Sequence, residues 1–251
     1  MNAPILFLHG FMGSRHDWAP LLEHLGPSVE AIAIDLPGHG DNLALPILTP
    51  IDIPWMALSV LSILDAHTSE KVHLVGYSMG GRIALHLALH HPERFHSLVM
   101  ESASPGLSHP QDRRERITAD RRRAREIQED FPAFLQSWYE LPLFGSLSSH
   151  PAFPEMLQRR HHPDPTILAR IIEDMSPGLQ PDLTPHLKKL SLPSLWLAGA
   201  EDEKYAALMP RCAASCPEGS SKIIAHAGHN LHLQAPNELA TLIQSFQQQA
   251  S

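Results

Sequence analysis

An apolar run that begins at Val72 leads into Gly76-Tyr77-Ser78-Met79-Gly80, and an amphipathic stretch, Gly81–His90, follows at once. A chain that leaves a strand and enters a helix in so few residues must turn sharply. Glycines flanking the turn suit it, because larger side chains would clash there. The Ser78 backbone is therefore expected to be strained. The turn lifts the Ser78 hydroxyl out of the sheet, at a helix N-terminus whose dipole and free N–H groups favour negative charge. G-x-S-x-G in this strand–turn–helix setting reads as a nucleophile elbow.

The rest of the chain supplies the sheet that such an elbow needs. Ile5–Leu8, Val29–Ile34, Val72–Gly76 and Ser97–Glu101 are short and apolar throughout, as parallel strands covered on both faces should be. Helical patterns lie between them near Trp18–Leu25, Ile53–His67 and Gly80–His90. Strand–helix–strand order implies right-handed crossovers. Residues 106 to 185 break the rhythm: Gln111–Asp130 carries seven Arg against six acids, and no strand pattern follows it there. Strands resume at Ser194–Ala198 and Ser221–Ala225, and the helix Asn237–Gln248 closes the pattern. The expected fold is α/β, with a mostly parallel six- or seven-stranded sheet flanked by helices. Residues 1–105 and 186–251 form its core, and 106–185 an inserted helical cap.

Composition narrows the class. The chain has 251 residues, 43% of them hydrophobic, enough for one domain with a sizeable core. Its net charge of −8 disfavours nonspecific nucleic-acid binding. No apolar run approaches the length of a membrane span. The opening MNAPILFLHGF lacks a basic region and a small-residue cleavage site, so a cytoplasmic protein without a signal peptide is expected. Cys212 and Cys216 cannot make a disulfide framework and are expected to be reduced and inert. The 18 histidines include no metal-ligand spacing, so no metal is expected.

A serine hydroxyl needs a base, and the base needs an orienting acid. In this architecture the order is serine, acid, histidine. Asp202 follows the strand Ser194–Ala198 in GAEDEK, and His229 follows Ser221–Ala225 in AHAGHN. Both thus emerge at strand C-terminal ends, where open α/β sheets place their sites. Glu201 and Glu203 compete with Asp202 on proximity, as His226 and His232 do with His229. An oxyanion hole would use the N–H of Met79, after the nucleophile, and that of Phe11, after the first strand. His9 is expected to brace that loop.

LHGF, DLPGHG, GYSMGG, GAEDEKY and GHN together resemble the α/β-hydrolase superfamily. Ile5–Leu8 stands so near the start that the usual N-terminal antiparallel hairpin is expected to be missing. Longer stretches, LHGFMGSRHDW, GYSMGGRIAL, ESASPGL, SWYELPLFGSL, MSPGLQPDL and GHNLHLQAP, resemble MenH-type 2-succinyl-6-hydroxy-2,4-cyclohexadiene-1-carboxylate synthases. That resemblance implies a carbon–oxygen lyase that eliminates pyruvate from a tricarboxylate in menaquinone or phylloquinone biosynthesis, with no cofactor. The triad would then serve proton abstraction. A small-molecule polycarboxylate in a net acidic protein calls for arginines, which bind carboxylates bidentately. Arg82, one turn after Ser78, suits that role. The resemblance also assigns Arg116 and Arg159 in the cap, with Arg113, Arg114 and Arg160 as neighbours it does not separate. Tyr77 and Trp138 match pocket positions, Ser14 and His16 are candidates for the entrance, and Gln180 receives no catalytic role. The chain is expected to be a monomer or weak homo-oligomer. A serine hydrolase with the same triad is the first competing class, and a non-catalytic binding module the second. Failure of the arginines to converge on Ser78 would favour the hydrolase.

Overall fold

β1 (Ile5–Leu8), buried along its whole length, lies one strand in from the edge of a six-stranded sheet in which every pairing is parallel. The computed structural model describes residues 3–43, 45–46, 49–161 and 163–249. After β1 come α1 (Ala19–Leu25), β2 (Ala31–Ile34), α2 (Ile53–His67), β3 (Val72–Tyr77), α3 (Met79–His90) and β4 (Phe95–Glu101). α4 (Pro110–Glu129), α5 (Phe131–Tyr139), α6 (Phe153–Arg160) and α7 (Pro165–Asp174) follow without an intervening strand. The chain then returns to β5 (Ser194–Gly199), α8 (Glu203–Ala214), β6 (Gly219–Ile224), the short α9 (Leu231–Gln234) and α10 (Pro236–Gln249). The strand order is β2-β1-β3-β4-β5-β6.

Apolar side chains explain the layers. Leu6, Leu74, Leu98 and Trp196 bury one face of the sheet with residues of α2, α3 and α8. Phe7, Val75, Val99 and Leu197 bury the other with residues of α1 and α10. A third cluster, including Ile127, Phe134, Phe144 and Leu168, joins α4, α5 and α7 to Met12 of the loop after β1 and to Leu233 of α9. Caps punctuate the helices: Asp52 accepts the Trp55 N–H at 2.8 Å, and Asp130 accepts that of Ala133 at 3.0 Å.

β4 and β6 start two residues earlier than their apolar patterns suggest, for a physical reason. β6 begins at Gly219, not Ser221, and residues 220–222 are exposed. An edge strand has one uncovered side, so polar side chains are tolerated where pairing with β5 fixes the backbone. β4 starts two residues early, at Phe95, which is buried in the core.

Buried and half-buried histidines set an acid limit: burial lowers His73 and His86 to about 4, and two more lie in the loops after β1 and β2. Burial, followed by the neighbouring His9, pulls His39 down to about 3. Burial likewise lowers His9, whose Nε2 accepts the Leu36 N–H at 3.0 Å, so its Nδ1–H donates to the Gly10 carbonyl at 2.8 Å. The folded state keeps both neutral, whereas the unfolded chain protonates near the ordinary 6.5. Stability is thus full above about 6.5 and falls with decreasing pH, by up to about 1.4 kcal/mol per pH unit for each histidine. Melting temperatures from pH 7.5 to 4.5 should fall, and His39→Gln should flatten the slope. A flat wild-type profile would refute this account.

Candidate active site

Strand register brings the site together. Leu8 pairs with Gly76, and Tyr77 with Glu101, which also pairs with Leu197. The ends of β1, β3, β4 and β5 therefore form one ledge. Ser78 stands on it with φ 50° and ψ −109°, a conformation costly for any residue with a Cβ. Its N–H donates to the Glu101 carbonyl at 2.9 Å, and its carbonyl accepts the Arg82 N–H at 3.1 Å. A Cβ at Gly80 would overlap the Leu8 carbonyl oxygen, so the elbow lies against β1 only because that residue is glycine.

Among the competing acids and histidines, one set meets. His229 Nε2 lies 3.0 Å from Ser78 Oγ, and His229 Nδ1 lies 2.6 Å from Asp202 Oδ2. Asp202 also caps α8, accepting the Tyr205 N–H at 3.3 Å on its other oxygen. Its carboxylate is fully buried, so the short bond to His229 is shielded from water. The Tyr77, Tyr205 and Phe144 rings surround the imidazole, with centroids at 5.3, 5.0 and 5.8 Å. Glu201 instead accepts the Ser146 N–H at 2.7 Å, and His232 turns away to Glu101.

Phe11, Met79, Arg82, Arg116 and Trp138 border a cavity beside Ser78, which continues toward Tyr77, Arg123, Tyr139, Arg160 and Lys204. Arg82 is buried; its Nη1 donates to the Met175 carbonyl at 2.8 Å and to Gln180 Oε1 at 2.7 Å. Burial, and then Arg116, lower Arg82 to about 10, which leaves it charged at neutral pH. Arg116 and Arg123 share one fully buried acid, Asp120: Nε of the first bonds Oδ2 at 2.6 Å, and Nη1 of the second bonds Oδ1 at 2.7 Å. Arg123 also lies over the Trp138 ring, 5.5 Å from its centroid.

The arginine of α6 needs correction. Arg159 does not border the Ser78 cavity: it pairs with Glu155 at 2.8 Å and lines a separate pocket with Ser14, His16 and Asp41. Arg160 points inward, 4% exposed, held by Asp17 at 2.6 and 3.0 Å and by Tyr139 Oη at 3.0 Å. Neighbours on a helix point about 100° apart, and of the two Arg160 borders the cavity while Arg159 comes only to 3.7 Å from Asp17 at its rim. Burial opposes the Arg160 charge, but Asp17 and then Tyr139 raise its pKa. Asp17, Asp120, Arg123, Tyr139, Lys204 and Tyr205 were not anticipated, and Gln180 was noted without its bond to Arg82. Only the Arg116–Asp120–Arg123 spacing, two turns of one helix face, carried a readable signal.

Among the described residues no group of three or more His, Cys, Asp or Glu side chains could hold a metal ion, and no helix is long and apolar enough to cross a membrane. Cys212 and Cys216 are buried free thiols; burial, and then each other's proximity, push Cys212 up to about 12.

A strained serine, a buried aspartate and a histidine, in that chain order on three strand ends of a parallel sheet, define an α/β-hydrolase. The chain belongs to the alpha/beta hydrolase fold family, whose model matches residues 3–236, and within it to the MenH-type enzymes. It is 33% identical to the 2-succinyl-6-hydroxy-2,4-cyclohexadiene-1-carboxylate synthase of Serratia proteamaculans, over 96% of this chain and 92% of that one. The structure of MenH from S. aureus superposes with a TM-score of 0.93 at 31% identity, covering 100% of this chain and 95% of the other. Protein PHYLLO, chloroplastic, of Arabidopsis thaliana is 30% identical over 96% of this chain, which spans 15% of that protein.

Proposed function

We propose that this chain eliminates pyruvate from 2-succinyl-5-enolpyruvyl-6-hydroxy-3-cyclohexene-1-carboxylate. The product is 2-succinyl-6-hydroxy-2,4-cyclohexadiene-1-carboxylate, in a carbon–oxygen lyase step of menaquinone or phylloquinone biosynthesis. The observation that carries this reading is the convergence of Arg82, Arg116 and Arg160 on the cavity that holds Ser78. In a protein of net charge −8 these cations border the nucleophile's cavity, and an ordinary ester gives no reason for it. Three carboxylates do. In this reading residues 106–185 are a cap that closes the cavity and supplies Arg116, Trp138 and Arg160.

The proton steps follow from the distances. Ser78 Oγ, 3.0 Å from His229 Nε2, takes the proton from the carbon beside the succinyl ketone and passes it to the imidazole. Asp202 stabilises the imidazolium through the 2.6 Å bond. The N–H groups of Phe11 and Met79 hold the enolate oxygen. The enolate electrons then re-form the ketone and make a ring double bond at the deprotonated carbon, the existing ring double bond shifts one position along the ring, and the C–O bond to the enolpyruvyl group breaks with its electron pair leaving on oxygen. His229 returns its proton through Ser78, and pyruvate leaves. No water attacks and no acyl-enzyme forms.

Pyruvate release from freshly generated substrate, read above spontaneous decay, tests this reading. Wild type should accelerate release. Arg82→Ala should lower kcat/KM by about 10- to 100-fold, the value of a charged hydrogen bond. Arg82→Lys should recover only part, because an ammonium lacks the planar fork. No acceleration by wild type would overturn the lyase reading.

A further inference from the structure

A second acid–histidine pair lies behind the triad, and the proton steps above do not use it. Glu101 ends β4 and is fully buried; His232, three residues beyond His229, is 2% exposed. Glu101 Oε1 sits 2.7 Å from His232 Nδ1 and also accepts the His232 main-chain N–H at 3.2 Å. The His232 ring packs between Trp18 and Tyr77, with both centroids at 4.6 Å, and Tyr77 lies in turn against His229. The Glu101 carbonyl accepts the Ser78 N–H at 2.9 Å. One residue thus grips the nucleophile's backbone with its main chain and the histidine loop with its side chain.

Stability alone does not account for the pair. Burying ionisable groups costs desolvation, and a well-packed apolar pair is often as stable or more so. An apolar pair lacks directional bonds, and those are what fix the start of α9 and with it the loop that presents His229. We propose that Glu101 and His232 are positioning residues that set the register of His229 against Ser78. This inference rests on the proposed proton-transfer role of the triad. Its expected signature is a fall in kcat with KM retained, because the arginines that bind carboxylates are anchored elsewhere, on Asp120, Gln180 and Asp17.

The decisive variant is Glu101→Leu/His232→Phe, which keeps the site apolar and filled. It should fold, lose about tenfold or more in kcat, and keep KM within about twofold. In proton NMR the low-field resonance of the His229–Asp202 hydrogen bond should broaden or shift. Wild-type kcat with an unaltered resonance, or a raised KM with kcat unchanged, would overturn the proposal. If the double variant does not accumulate as folded protein, His232→Asn against His232→Leu decides. Asn keeps a donor near the Nδ1 position and should retain most of kcat; Leu should not. Equal rates for the two would overturn the proposal as well. The NMR resonance needs no substrate. Failure of wild type to release pyruvate would therefore sink the lyase reading, while the resonance still reports on the pair.

Discussion

Ser78→Gly should cost about 10³-fold or more in pyruvate release and yet make the protein more stable by about 1 kcal/mol. The two effects have one origin. At φ 50° and ψ −109° a side chain is strained, and glycine is not. The conformation persists because surrounding bonds over-determine it: Ser78 N–H to the Glu101 carbonyl at 2.9 Å, and Arg82 N–H to the Ser78 carbonyl at 3.1 Å. Ser78→Ala separates strain from chemistry. It removes the hydroxyl but keeps the Cβ, so activity should fall as far with no gain in stability. In a chain of this size 1 kcal/mol moves the melting temperature by about 2–4 °C, within reach of a thermal scan. A glycine variant no more stable than the alanine variant would refute the strain account. An alanine variant that kept half the wild-type rate would remove Ser78 from the proton path.

The elbow was readable from sequence because its requirements are local: two glycines, a strand before and a helix after. The acid and the histidine were readable as positions on strand ends, but not against their neighbours. What separates Asp202 from Glu201 is that Asp202 caps α8, which points its second oxygen at His229. That is a fact of chain path, not of composition. Arg160 could not be separated from Arg159 for a related reason. One residue on a helix is a third of a turn, and the phase of α6 is set by Asp17, 143 positions away. No window of sequence contains both. The same holds for Glu101 and His232, 131 positions apart. β6 was located despite its polar SSK stretch, but its start depended on β5 beside it. Local chemistry was legible, and partnerships that only the folded sheet creates were not.

Those distant partnerships make the largest stability prediction. Arg160 forks onto both oxygens of Asp17, at 3.0 and 2.6 Å, with both side chains 4% exposed. Burial works against the Asp17 charge, but Arg160 leaves its carboxyl below the ordinary carboxylate range. Arg160→Met would strand a buried carboxylate, which costs about 3–5 kcal/mol, or roughly 10 °C of melting temperature. The nearest remaining cation, Arg159 at 3.7 Å from Asp17, should hold the loss toward the lower figure. Adding Asp17→Asn removes the stranded charge, so the double variant should regain most of the stability. It should not regain activity, because the guanidinium that borders the cavity is still absent. Recovery of both together would leave Arg160 a purely structural role. The pH dependence separates this pair from the buried histidines. A lowered carboxyl contributes above its unfolded value of about 3.8 and loses that contribution only as pH falls through its folded value. In Arg160→Met burial is no longer opposed by that guanidinium and raises the Asp17 carboxyl, so the penalty should shrink as pH falls from 7 to 5 and the stranded carboxylate takes up a proton.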